Sequence, residues 1–94
     1  MIDLNSYLDD PESDLDSLPT RSLLRVHLLS VWRVCAAESA WRGAYEDTSR
    51  GCRVRRQEAA AAWDHEVASR RRVDKQLYRR MIANPDEVIG CLKE

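Results

Sequence analysis

From Thr20 onward, apolar residues return every three or four positions: Leu24, Leu28, Val31 and Cys35, with Leu23, Val26, Leu29, Trp32 and Val34 filling in around them. This is the period of an α-helix, and the apolar surface is wider than the roughly 100° stripe of an ordinary surface helix. Such a helix wants more than one neighbour. A second run, from about Cys52 to Ala83, puts Ala59, Ala60, Trp63, Val67, Val73, Leu77, Tyr78 and Met81 on one side and a dense arginine face on the other. Between Pro19 and Pro85 there is no proline and only two glycines, Gly43 and Gly51. The stretch Glu46-Asp47-Thr48-Ser49-Arg50-Gly51 is the strong turn signal in the middle of the chain.

Thr20 after Pro19 suits an N-cap. Asn84-Pro85-Asp86-Glu87 supplies a cap, a proline at the first helical position and acids in the first turn, which predicts a short last helix through Leu92. The expected fold is therefore all-α, with helices at about 20–47, 52–83 and 85–92, the first two forming a long antiparallel hairpin. Against the hairpin, Arg53, Arg55 and Arg56 would sit at a helix N-terminus, where the macrodipole disfavours positive charge. The alternative is a continuous rod from 20 to 83, about 95 Å long, which would need a coiled-coil partner throughout. If the chain folds back near residue 50, residues whose numbers add to about 100 face each other. Trp41 would then meet Ala59 to Ala62, and Trp63 would meet Ala36 and Ala37.

Residues 1–18 form a separate acidic leader, expected to be extended or locally helical, with a single turn opened by Asp10-Pro11-Glu12. Its apolar anchors Ile2, Leu4, Tyr7 and Leu8 are more than a solvated tail needs. They predict docking on this chain or a neighbour, or a recognition motif around Tyr7, Leu8, Asp9 and Asp10.

Length changes the picture next. A chain of 94 residues buries only about two-thirds of its unfolded surface, so association is a natural way to finish the core. A homodimer making a four-helix bundle is the favoured completion. Its interface residues would be Leu24, Leu28, Val31, Trp32, Trp63, Val67, Leu77 and Met81, with the charged pair Arg70 and Asp74 inside the seam fixing register or partner choice.

Net charge is −1, which conceals an asymmetry: the leader holds six acids and no base, and the rest holds all fifteen Lys and Arg against ten acids. On a helical wheel Arg71, Arg72, Lys75 and Arg79 share one side of the second long helix. With Arg53, Arg55 and Arg56 they are the candidate surface for an acidic protein or a phosphate backbone. No aromatic residue is interleaved there for base stacking, and a solvated helix face has the same composition.

Candidate chemistry adds little. Cys35, Cys52, Cys91, His27 and His65 form no pair at metal-ligand spacing. Asp64-His65-Glu66 are consecutive on a helix and point about 100° apart, so they cannot converge on one substrate atom. Neither metal nor cofactor is expected, and no small-molecule substrate is evident. Three cysteines at wide spacings and no signal-peptide pattern point to a reducing, cytoplasmic setting. The longest apolar segment, 23–37, contains Arg25, His27 and Arg33 and is too short to span a bilayer.

The sequence thus leads to a non-catalytic protein–protein interaction module that binds stoichiometrically. A phage or viral inhibitor of a host factor is the base-rate analogy. The alternatives are a helical nucleic-acid binder using the arginine face and a scaffolding or assembly subunit.

Overall fold

The computed structural model describes residues 3–93. It contains four helices and, among those residues, no strand: α1 (Leu4–Asp9), α2 (Thr20–Glu46), α3 (Cys52–Ala83) and α4 (Pro85–Leu92). Helices α2 and α3 form the expected antiparallel hairpin, the molecule measuring 53 × 25 × 25 Å.

Residues 47–51 break the rod for three local reasons. Asp47 leaves the helix with extended backbone, and its carboxylate accepts from the Ser49 N–H at 2.8 Å and the Ser49 hydroxyl at 2.6 Å. Such side-chain bonds to the backbone compete with helix continuation. Gly51 then adopts φ 83°, a left-handed conformation that glycine alone takes without penalty. Arg56 hydrogen-bonds the Ala44, Tyr45 and Asp47 carbonyls, which are left without partners at the end of α2. The macrodipole objection is answered by this geometry. The hairpin sets the start of α3 beside the negative end of α2, so Arg56 meets carbonyls at its own helix's unfavourable end.

The hairpin register agrees with the expected one. His27 meets Asp74 at 2.8 Å, Arg33 meets Glu66 at 2.7 Å, and Arg56 reaches Ala44. Trp41 stacks on Tyr45 and also contacts Trp63, the residue immediately after the alanines expected opposite it, at centroid distances of 5.5 and 5.2 Å.

The leader shares the hairpin's core. Leu8, Leu15 and Leu18 are buried with Leu23, Val26 and Val73, and Leu4, Tyr7, Leu29 and Leu77 pack around them. Each fully buried leucine or valine contributes about 1.5–3 kcal/mol. Ile2, the fourth expected anchor, lies outside the described residues.

Two local expectations are corrected. The leader's helix lies upstream of Pro11, capped by Asp3, whose carboxylate accepts from the Asn5 N–H; Asp10 instead accepts from the Glu12 N–H in a tight turn. Thr20 is the first residue of α2 and not its cap, and its buried hydroxyl accepts from Arg80. On α2 the buried face is Leu23, Val26, Ser30 and Val34, whereas Leu28, Trp32 and Cys35 turn outward and Leu24 is half-buried. Tyr78 and Met81, which share the apolar side of α3 in the sequence, are likewise exposed. The leader draws the core around the hairpin toward its own side, which leaves these residues on the other.

Candidate functional site

The long helices present two unlike sides. On the first, α3 grips the leader by its main chain. Arg72 donates to the carbonyls of Tyr7 at 3.0 Å, Pro11 at 3.3 Å and Leu8 at 3.4 Å, and to the Ser13 hydroxyl. The buried Ser69 hydroxyl donates to the Leu8 carbonyl at 2.7 Å. Two turns on, Arg80 donates to the Leu15 and Asp16 carbonyls at 3.0 and 3.1 Å. These residues lie at positions 69, 72 and 80 and follow one helical stripe, so a single face of α3 spans the leader from Tyr7 to Asp16. The guanidinium fork suits this work, because one side chain donates to several oxygens at fixed spacing.

Arg33 completes the grip from α2. Its guanidinium bridges Asp9 of the leader, at 2.6 Å, and Glu66 of α3, at 2.7 Å. Hydrogen bonding to Glu66 is the largest influence on Arg33 and raises its pKa above the ordinary arginine value; burial opposes this and Asp9 adds to it. The bridge is thus three-sided and permanently charged. Leu8 is fully buried and Asp9 is paired within the same chain. While the leader is docked, the motif Tyr7-Leu8-Asp9-Asp10 does not present Leu8 to a partner.

The second side of the hairpin has no leader. Leu28 and Trp32 are 67% and 68% exposed, and Cys35 is open beside them. Leu24 and Leu28 join Cys91 and Leu92 of α4, with Arg21 and Arg25 at the rim, around an open groove of about 410 Å³. On α3 the same side carries half-buried Trp63 and Val67 and exposed Tyr78, Met81 and Ile82. Wide apolar patches rimmed by charge mark interaction surfaces.

Between the two long helices, Arg70 lies 3.5 Å from Asp74, whose other oxygen meets His27. The charged pair read from the sequence is therefore tied to α2 of its own chain. It sets hairpin register, and Val31, half-buried one turn beyond His27, belongs to the same seam.

The arginines do not act as one set. Arg72 belongs to the leader clamp. Arg55 bonds Asp47, the Ser49 hydroxyl and the Arg50 carbonyl, and Arg56 lies over the Tyr45 ring at 5.1 Å, so both are committed to the loop. Arg71, Lys75 and Arg79 are exposed at i, i+4 and i+8 on α3 and make no ion pair among the described residues, as is also true of Arg53.

Asp64, His65 and Glu66 diverge as consecutive helical residues must. Glu66 turns to Arg33 and His65 lies 4.0 Å from Asp9. The three cysteines are separate free thiols, and no group of three or more metal-binding side chains gathers among the described residues. No helix among them is long and apolar enough to cross a membrane.

The sequence reading did not anticipate the clamp residues Arg33, Ser69 and Arg80. The usable signal was Ser69 and Arg80 flanking Val73, polar positions on a helix face that also carries a core residue. No family model, curated protein or solved structure matches this chain.

Proposed function

We propose that this chain is a non-catalytic protein–protein interaction module that acts by stoichiometric binding through the leader-free side of its hairpin. One observation carries the reading: Leu28 and Trp32, each about two-thirds exposed, stand beside an arginine-rimmed apolar groove. Burying such side chains against a partner stabilises a complex by about 1.5–3 kcal/mol each, and tryptophan and arginine are the residue types that dominate binding hot spots. An inhibitor or adaptor needs nothing more than such a face on a rigid scaffold. The leader's role in this reading is to close the other side of the hairpin and limit the molecule to one sticky surface.

The test is recovery of the tagged protein from extract of its natural host, with nuclease, comparing wild type with Trp32→Glu. A protein recovered in stoichiometric amount with wild type and lost with the variant is the expected result. Equal recovery with both removes this face from the binding function.

A second reading is favoured by the exposed row Arg71, Lys75 and Arg79. A row of three cations spaced at one turn suits a phosphate backbone. It requires affinity for nucleic acid that falls steeply with salt, with little sequence preference. Fluorescence anisotropy with a duplex and a single strand at two salt concentrations checks it, and Lys75→Glu should abolish whatever binding is found.

A further inference from the structure

We propose that the second half of α3 carries a surface that lies against an anionic lipid membrane. The stretch from Val67 to Ala83 holds six cations and one carboxylate. The carboxylate, Asp74, is turned into the seam with His27 and Arg70, while Arg72 and Arg80 hold the leader. Arg71, Lys75 and Arg79 are left, all exposed and without an ion pair among the described residues. Tyr78 and Ile82, 64% and 67% exposed, border this row. In steps of 100° per residue the five side chains fall within an arc of about 100°, and the leader's seat on Ser69, Arg72 and Arg80 begins beyond its edge.

Charge complementarity asks for an anionic surface, and the two apolar side chains decide which. A nucleic-acid backbone offers phosphates to the cations and nothing in which Ile82 can be buried. A folded protein would have to supply a concave acidic surface, because this face is the convex flank of one helix. The grooves beside Leu24 and Leu92, beside Cys35 and Arg42, and beside Leu8 and Ser69 all lie elsewhere. A lipid interface is fluid and closes around a convex face without a matching shape. It also grades from charged headgroups to hydrocarbon within the reach of one side chain. Lys and Arg extend their charges to the headgroups, Tyr sits at the boundary with its hydroxyl outward, and Ile passes beneath. A basic helix face with exposed apolar residues, lying in the plane of the membrane, has this chemistry.

The acidic leader fixes which side meets the lipid. Docking by the leader would press six carboxylates and no base toward a negative surface, so only the α3 face is attracted. From Arg71 to Ile82 that face is about 17 Å long, which makes the contact shallow and reversible. Each cation held near an anionic surface strengthens binding about fivefold, and salt weakens this.

Co-sedimentation of the full chain with large unilamellar vesicles tests this, using phosphatidylcholine alone and phosphatidylcholine with one-third phosphatidylserine. Wild type should bind the mixed vesicles about tenfold or more tightly than the neutral ones, and lose most of that binding at high salt. Lys75→Glu with Arg79→Glu should weaken binding about 25-fold or more. Tyr78→Ser with Ile82→Ser, which leaves charge untouched, should weaken it about tenfold. Arg50→Glu with Arg53→Glu makes the same change in net charge at the other end of α3 and should cost no more than about twofold. All six positions are exposed, so the fold is retained in each variant. Absence of binding to the mixed vesicles at low salt overturns the proposal. So does binding that the distant pair weakens as much as Lys75→Glu with Arg79→Glu, which is attraction of net charge alone. Binding that ignores Tyr78→Ser with Ile82→Ser overturns it as well. A duplex or single strand that binds the row while vesicles do not gives the row to nucleic acid and defeats the membrane.

Discussion

Arg72 of α3 donates a 3.0 Å hydrogen bond to the main-chain carbonyl of Tyr7, sixty-five positions earlier in the chain. Its neighbour Arg71 projects to the other side of the same helix and is exposed. Adjacent arginines therefore separate two tasks, one inside the structure and one at its surface. Replacing Arg72 with Ala should destabilise the fold by about 1–3 kcal/mol, because the Pro11 carbonyl loses its donor and the Tyr7 and Leu8 carbonyls are left with the Ser13 and Ser69 hydroxyls alone. Arg71→Ala should stay within about 0.5 kcal/mol. Urea midpoints of the two variants check the difference, and amide exchange in the leader should accelerate only in the first.

Leu8 is the leader's deepest anchor, with no exposed surface. Truncation to Ala should cost about 2–5 kcal/mol, the range for a buried leucine that leaves a cavity. A cost below about 1 kcal/mol in chemical denaturation would mean that the leader is not part of the cooperative core.

Gly51 is the only described residue with positive φ, at 83°. A Cβ there would meet Arg55 Nη1 at an ordinary 3.5 Å, so backbone strain and not crowding governs substitution. Gly51→Ala should lower stability by about 1–2 kcal/mol. The hairpin should persist, which a circular dichroism spectrum of unchanged shape would establish.

Acid should loosen the loop. Hydrogen bonds from the Ser49 hydroxyl and N–H, aided by Arg55, lower the Asp47 pKa from 3.8 to about 2. Because the folded value lies below the unfolded one, protonation favours the unfolded chain. The contribution is complete above about pH 4–5 and is lost as pH falls toward 2. Asp47→Asn removes this titration, so the gap in thermal midpoint between wild type and variant should narrow across that window. A gap that is constant from pH 6 to pH 2 would contradict the assignment.

The helix boundaries were legible because they depend on short-range chemistry. Gly51, Pro85 and Asn84 act within a turn of themselves, and the hairpin register follows from the break at residues 47–51. The orientation of α2 was harder to read. Leu24, Leu28 and Cys35 form the more hydrophobic-looking stripe, yet Leu23, Val26 and Val34 are buried. The true inner face is interrupted by Ser30 and Arg33, which have partners only after folding: Ser30 donates to the His27 carbonyl, and Arg33 joins Asp9 to Glu66. Arg72 and Arg80 were obscured for the same reason. A guanidinium that holds distant carbonyls looks, in one dimension, like one that faces water.

The clamp on main-chain carbonyls has a consequence for how this chain can vary. Glu12, Asp14 and Asp16 are exposed and make no ion pair among the described residues, while the bonds that seat the leader go to carbonyl oxygens that every amino acid supplies. Beside the buried Leu8, Leu15 and Leu18, the side chain that α2 holds is Asp9. Glu12, Asp14 and Asp16 can be exchanged for other polar residues, or reversed in charge, and the leader retains its seat, whereas Asp3, Asp9 and Asp10 each hold a bond of their own. Its outward chemistry is free to follow whatever surroundings the molecule meets, without renegotiating the fold beneath it.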